Sequence, residues 1–226
     1  MTTLRATPAL TFDRGGTSSF SRSTCDDWDL LPVAIRALVL ARASAAALEL
    51  TRFDDGDTHA AAIAGVFAMT FARAPDAIRD APATVHVTAD TVVIDGAAPL
   101  GRVHLDVDND FPPVAAAAHL AAAILAGNTV TFNIPTAAPP PVLTYLGFLS
   151  AMLPDHVLTV TLVVPGQRTV DGYSTLIHLA VPGGCPQLVP CNAALALYQQ
   201  QTHTRVPFAT SGNQRWGSST DNGRGG

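Results

Sequence analysis

The chain has 226 residues, a net charge of −5 at pH 7 and 48% apolar residues. This length allows one domain with an ample core, and the mild negative charge argues against a dominant basic surface. No apolar run reaches the roughly 18 residues of a membrane span, and the first residues lack the apolar core of a signal peptide, so we expect an intracellular protein. Cys25, Cys185 and Cys191 have no metal-ligand spacing, which is consistent with reduced thiols.

The N-terminal part divides into an arm and two helices. Residues 1–27 are rich in Thr, Ser, Gly and Arg without any period, and we interpret them as a flexible arm. A helix is predicted over 31–50, capped by Asp29 with Pro32 in its first turn, and its mostly apolar faces predict extensive burial. A second helix begins near His59 and ends at or before Pro75.

An alternating segment follows these helices. Residues 84–95 read TVHVTADTVVID, a period-2 pattern that predicts a strand or hairpin with its turn near Ala89 and Asp90. We call this segment the ribbon. Its apolar positions are Val85, Val87, Val92 and Ile94.

The stretch from 99 to 166 predicts the centre of the fold. β-branched runs at 130–132 and 157–164 alternate with helical patterns at 114–125 and 142–152. That alternation is typical of βαβ units around a parallel sheet. The apolar run at 158–164 predicts a strand that is covered on both faces. A further strand is predicted over 175–181.

Five collinear segments in this region resemble a known family. PLGRV, DNDFPP, LAAAILAGNTV, LP and VVPG occur in the order and near the spacing of the coenzyme-binding domain of the aldehyde dehydrogenase superfamily. The resemblance covers 28–201. It implies a Rossmann-like α/β fold with an N-terminal helical pair, an extended β ribbon and flexible arms at both ends, the second being a polar Gly/Ser/Arg tail at 202–226. The family's catalytic domain and its nucleophilic cysteine lie beyond the resemblance.

The residues at the family's functional positions differ from its pattern. Asp110 stands where the family has the asparagine that stabilises the oxyanion, and a carboxylate there would oppose negative charge. Asn133 and Thr136 stand in place of the lysine and glutamate that hold the ribose, and Val181 replaces the general base. We therefore expect a chain that is not an enzyme, with no catalytic residue, cofactor or metal of its own.

Other reactive side chains have weaker cases. Cys185 and Cys191 are expected to be inert, although an enzyme of altered mechanism could use either as a nucleophile. His119, on an alanine-rich helix, is expected to be a core or interface histidine. The alternating Asp106, Asp108 and Asp110 could bind a cation, and a solvated loop is the alternative.

Without a catalytic domain to cover it, the ribbon would expose unpaired strand edges. We therefore predict that Val85, Val87, Val92 and Ile94 form a self-association surface, and that the chain is a non-catalytic, self-associating structural protein, a homodimer or larger assembly. The alternative is a non-catalytic module that binds a dinucleotide or another small ligand.

The composition also resembles, more weakly, the proline-alanine-serine-rich proteins that associate with the RNA of polymycoviruses. That resemblance implies a viral, capsid-like role and a place in the virion or viral ribonucleoprotein. Arginines in flexible arms could contact RNA phosphates, and solvated arms are the alternative. The candidate contacts are Arg5, Arg14, Arg22, Arg205, Arg215 and Arg224.

Overall fold

The structure, a computed structural model, describes residues 28–53, 56–77, 84–88, 91–163, 175–180 and 194–207. Short 3-10 turns at Trp28–Leu30 and Ala196–Tyr198 flank the larger elements. In chain order the helices are α1 Val33–Leu50, α2 Thr58–Ala72, α3 Ala74–Ala77, α4 Pro113–Leu125 and α5 Pro140–Met152. The strands are β1 Thr84–Val87, β2 Thr91–Pro99, β3 Arg102–Val107, β4 Thr129–Pro135, β5 Leu158–Val163, β6 Thr175–Leu179 and β7 Gln199–Pro207.

Four strands form a parallel sheet in the order β5-β4-β3-β6. Helix α4 connects β3 to β4, and α5 connects β4 to β5, so the predicted βαβ units are present. The predicted α/β class with a Rossmann-like parallel sheet, an N-terminal helical pair and an extended ribbon is confirmed. Among the described residues, no helix combines the length and apolar character needed to cross a bilayer.

The core lies between one face of this sheet and the helices. The inward side chains of β3 and β4 are fully or nearly fully buried: Val103, Leu105, Val130, Phe132 and Ile134. The ring of Phe67 on α2 packs edge-on against Phe132, with ring centroids 6.2 Å apart. Alanines dominate the facing side of α4, which lets the helices approach closely and bury the whole stripe.

The other face of the parallel sheet is polar. Thr131 and Asn133 of β4 and Thr159 and Thr161 of β5 alternate with the buried apolar residues and point away from the helices. The expectation that 158–164 is covered on both faces is therefore wrong for the described part of this strand. Thr159 and Thr161 are exposed on one face, and on the other face Leu158 is buried whereas Leu162 is 52% exposed.

Helix α1 differs from its prediction in two ways. Its N-cap is Pro32 without a side-chain hydrogen bond, and Asp29 does not cap it. Its burial is confined to a stripe that includes Leu40, while Ile35 and Leu38 are more than 40% exposed. The prediction of extensive burial is therefore wrong for this helix. A side-chain cap is found on α2 instead, where Asp57 accepts from the backbone N–H of Ala60 at 3.0 Å.

The ribbon belongs to a second, antiparallel sheet with strand order β1-β2-β7. The hairpin is confirmed by the antiparallel pairing of β1 with β2, and the predicted turn at Ala89 and Asp90 lies outside the described residues. β7 pairs along the whole length of β2, from Thr91 opposite Pro207 to Pro99 opposite Gln199. This strand extends past the predicted domain boundary at Gln201, so the part of the tail up to Pro207 is ordered sheet. The remaining tail lies outside the described residues.

One buried side chain connects the two sheets. Asn128 is 0% exposed and accepts from the N–H of Gly101, in the turn between β2 and β3, at 2.9 Å. Its amide donates to the carbonyl of Ala123 on α4 and to that of Tyr198, just before β7, each at 3.0 Å. Asn128 therefore forms hydrogen bonds with three backbone groups from separate segments. This gives the asparagine of the Gly-Asn-Thr sequence a structural role.

Candidate functional sites

A crevice of about 450 Å³ opens at the carboxyl ends of β3 and β4. Ligands of open α/β sheets bind at this edge, in crevices of this size. The crevice lies between the loop after β3, the loop after β4 and the first turns of α2. Its lining is mostly apolar and includes Ile63, Phe67, Phe132, Val142 and Leu146.

The polar groups of the crevice come chiefly from the loop after β3. Asp108, Asn109 and Asp110 line it there, and His59 lines it from α2. The sequence analysis singled out Asp108 and Asp110 but not the crevice or His59. The sequence signals for the crevice were the proline pair after β3 and the proline triplet after β4, because proline favours the first turn of a helix and these helix starts form the crevice walls.

The three alternating aspartates are not brought together as one site. Asp106 is 5% exposed and accepts from the amide of Asn133 on the polar face of the sheet. Asp108 is bonded to His178 of β6, with Oδ1 and Nε2 2.7 Å apart. Asp110 is exposed in the loop. Within the part of the chain that the structure describes, no group of three or more His, Cys, Asp or Glu is arranged to hold a metal ion.

His119 connects α4 to the base of β7. Its Nδ1 lies 2.7 Å from the hydroxyl of Tyr198, and its half-buried ring packs near Phe111. Burial lowers the pKa of His119, because desolvation disfavours the charged ring. Burial likewise raises the pKa of Tyr198, which keeps its hydroxyl protonated. His119 is thus a hydrogen-bonded structural histidine.

The antiparallel sheet brings the four ribbon residues to one face. Val85 lies opposite Ile94, and Val87 lies opposite Val92, so the two cross-strand pairs are adjacent. Val85 is 57% exposed and Val87 is 68% exposed. The predicted surface is therefore continuous.

The opposite face of this sheet carries charge. Asp95 of β2 accepts from Nδ1 of His203 on β7, and Nε2 of His86 on β1 lies 3.7 Å from its other oxygen. Arg205 donates to Nε2 of His203 at 3.1 Å. Arg205 is thus exposed within a folded strand and not in a tail. The other candidate RNA contacts, Arg5, Arg14, Arg22, Arg215 and Arg224, lie outside the described residues, as do Cys25, Cys185, Cys191 and Val181.

The resemblance to aldehyde dehydrogenases implies a bound dinucleotide, and the residues at this sheet edge do not fit one. Asn133, at the position of the ribose-binding lysine, donates its amide to Asp106. Asp108 and Asp110 place two carboxylates at the crevice, and these would repel the phosphates of a dinucleotide. Thr136, at the position of the ribose-binding glutamate, is exposed and neutral, and the described residues that line the crevice include no Lys or Arg that would offset the repulsion.

No protein-family model matches the chain, and neither does a curated protein. Solved structures do resemble it. The NAD-dependent aldehyde dehydrogenase from Sinorhizobium meliloti is 19% identical with a TM-score of 0.49, over 62% of this chain and 31% of that one. An indole-3-acetaldehyde dehydrogenase in its apo form is 20% identical with a TM-score of 0.49, over 62% and 37%. The glyceraldehyde-3-phosphate dehydrogenase from Methanocaldococcus jannaschii, complexed with NADP, is 18% identical with a TM-score of 0.46, over 61% and 33%.

These comparisons correct one expectation. We expected that the chain is not an enzyme, yet the solved structures similar to it are aldehyde dehydrogenases, which are enzymes, so that expectation does not stand. The chain spans about a third of the length of those enzymes. The compositional resemblance to polymycovirus proteins gains no support from them. Over the part of the chain that aligns, the fold is similar to that of aldehyde dehydrogenases, the superfamily whose motifs the sequence resembles.

Proposed function

We propose that this protein self-associates through the outer edge of β1, with the second copy as the partner. The observation that carries the proposal is the pair of exposed valines on β1: Val85 and Val87 cover one face of the edge strand with apolar surface. Their cross-strand partners, Ile94 and Val92, extend that surface onto β2. Exposed apolar edge strands are sites of strand pairing between chains.

The orientation of the backbone groups of β1 also favours pairing at this edge. The N–H of Thr88 donates to the carbonyl of Thr91 at 2.9 Å, which closes the hairpin. Because hydrogen-bonded and non-hydrogen-bonded pairs alternate in an antiparallel ladder, the N–H and C=O groups of Val85 and Val87 then point away from β2. No described strand pairs with them. The residues with the exposed apolar side chains therefore also offer the backbone groups that another strand would use.

The other edge of the sheet is less suited to association. β7 carries the polar sequence QQQTHTRVP, and its residues Gln200, Thr204 and Arg205 are exposed. Charged and polar side chains on an edge strand protect it from pairing with a strand of another chain. Two copies of β1 related by a two-fold axis would pair antiparallel and close the edge, which gives a finite dimer.

Size-exclusion chromatography with light scattering tests this proposal. We expect the unmodified chain to be a dimer or larger at micromolar concentration, and the Val85→Asp/Val87→Asp variant to be a monomer with an unchanged far-UV spectrum. The matched control is Gln200→Asp/Thr204→Asp, which adds two charges to the same face at β7 and should leave the assembly intact. A monomeric unmodified chain, or dissociation by both variants alike, would contradict pairing through β1.

RNA association stays a prediction for the Arg-bearing segments, and the same chromatogram tests it. Phosphate contacts release counterions, so any bound RNA should dissociate as salt is raised. The ratio of absorbance at 260 and 280 nm across the protein peak, at low and high salt, measures this. A low ratio at both salt concentrations would contradict the prediction.

A further inference from the structure

The walls of the crevice suit an apolar ligand of small size. Aromatic and aliphatic side chains from three elements line it, and its volume of about 450 Å³ falls in the range of small-molecule sites. Phe132 and Leu146 are almost completely buried, so the apolar surface that a ligand can reach comes from partly exposed residues such as Ile63, Val107 and Phe111. Burial of apolar ligand surface against such a wall is the main favourable term for binding.

The charged groups at the crevice are of one sign. Asp108 and Asp110 line it from the loop after β3, and its described lining includes no arginine. The other titratable side chain among the described lining residues is His59 on α2, and Asp108 is hydrogen-bonded to His178 of β6. A cation placed in this crevice is attracted by the carboxylates, and an anion is repelled by them.

The helix starts that form the walls offer few donors for an anion. The first turn of a helix usually presents free backbone N–H groups that bind phosphates and carboxylates. In α5, the residues Pro139–Pro141 have no N–H, and the N–H groups of Val142 and Leu143 donate to the carbonyl of Pro139 at 3.0 and 3.3 Å. In α4, Pro112 and Pro113 occupy the N-cap and the first helical position. The start of α5 therefore offers an anion no backbone N–H from its first turn, and the start of α4 offers only those of Val114 and Ala115.

We propose that the crevice binds a small apolar ligand that carries a positive charge, such as an aryl-alkyl amine, and that it excludes anionic ligands, dinucleotides included. The apolar walls bind the hydrocarbon part, Asp110 and Asp108 bind the ammonium group, and the proline-rich helix starts give an anion few compensating donors. This selectivity is a property of the crevice and is independent of association through β1.

Three probes of equal shape and different charge test the proposal: phenylpropylamine, phenylpropanol and phenylpropionate, titrated into the full chain by calorimetry. We expect the amine to bind about tenfold more tightly than the carboxylate, with the alcohol between them. The Asp110→Asn variant should reduce the ratio of amine to carboxylate affinity several-fold. Asp76→Asn, which makes the same charge change at an exposed site on α3 outside the crevice lining, should leave the ratio unchanged.

A second variant locates the binding. Ala137 is exposed at the crevice, so Ala137→Trp should fill it without disturbing the core and should abolish binding of the amine. Equal or tighter binding of phenylpropionate, thermal stabilisation by NADH, or no binding of any probe at millimolar concentration would each overturn the proposal. Amine binding that survives Ala137→Trp would overturn the assignment to this crevice.

Discussion

The two sheets of this protein differ in how far their side chains are buried. The parallel sheet has one face buried against the helices, with Val103, Leu105 and Val130 fully inaccessible. In the antiparallel sheet, none of the side chains described for β1, β2 and β7 is buried. The first sheet therefore contributes core packing to the free energy of folding, whereas the second depends on backbone pairing and a few contacts at its base.

This difference indicates where the chain has surface left for other molecules. Small antiparallel sheets need an apolar face packed against something for independent stability. Here the connection is made at the base, by Asn128 and by the hydrogen bond between His119 and Tyr198. The apolar outer part, around Val85 and Val87, has no described cover. Substitution of Asn128 should disrupt the connection between the sheets. Substitution of Gly127 tests the close packing beside it, and substitution of His119 changes the charge at the connection.

The largest effect is expected at the connection. Asn128→Ala would leave three backbone groups without their partner, two of them buried, at about 1–3 kcal/mol for each buried group before relaxation. We expect a loss of about 4 kcal/mol in the free energy of unfolding, measured by urea denaturation. The control is Asn109→Ala, at an exposed loop position, which should change stability by no more than about 0.5 kcal/mol. A small effect of Asn128→Ala would show that the two sheets are held together by other contacts.

Two glycines have the same backbone conformation but different surroundings. Substituting each one separates the cost of the backbone conformation from the cost of close packing. Gly127 and Gly101 have φ values of +96° and +95°. A Cβ on Gly127 would lie 2.6 Å from Nη1 of Arg36, which donates to the carbonyl of Asp29, whereas a Cβ on Gly101 would meet nothing within 4 Å.

We therefore expect Gly101→Ala to cost about 1–2 kcal/mol for the left-handed backbone alone. Gly127→Ala should cost about 3 kcal/mol, because the guanidinium must also move. The measurement is the difference between their urea midpoints, with each variant as the control for the other. Equal losses would contradict the close packing around Gly127.

The smallest effect is a pH dependence at the connection. Burial lowers the pKa of His119 in the folded state, so the unfolded chain binds this proton more readily. The contribution of neutral His119 is fully present above the unfolded pKa of about 6.5 and is lost as the pH falls below it.

His119→Gln should therefore reduce the loss of melting temperature between pH 7.5 and pH 5. His59→Gln, at an exposed histidine, should not change that loss. An identical pH dependence in wild type and His119→Gln would contradict this account of His119.

Sequence patterns predicted the helices and strands well wherever periodicity was strong. The hairpin, α4 and β4 fall close to their predicted bounds, because alternation and alanine-rich helical periods are local signals. Residues 202–207 of β7 were predicted as tail because they carry no apolar period, and their pairing with β2 is a contact across about a hundred residues. The exposed face of β5 could have been predicted from Thr159 and Thr161. The apolar residues beside them led instead to the prediction of a strand buried on both faces.

The candidate sites were predictable to a smaller extent. The ribbon valines followed from alternation, since period 2 fixes which residues share a face. The crevice forms where α2, the loop after β3 and the loop after β4 come together. No pattern within any one of these segments predicts that they will be neighbours. Asn128 stood in a short motif whose role became clear only with Gly101 and Tyr198 beside it.

Hydrogen exchange of individual backbone amides on β1 tests the central claim most directly. The amides of Val85 and Val87 point outward from the sheet and would be hydrogen-bonded only when a second copy pairs with β1. We predict that their protection rises with protein concentration, while protection of the inward amide of His86 changes less. Fast exchange of Val85 and Val87 at every concentration, in a sample that light scattering shows to be oligomeric, would contradict association through this edge.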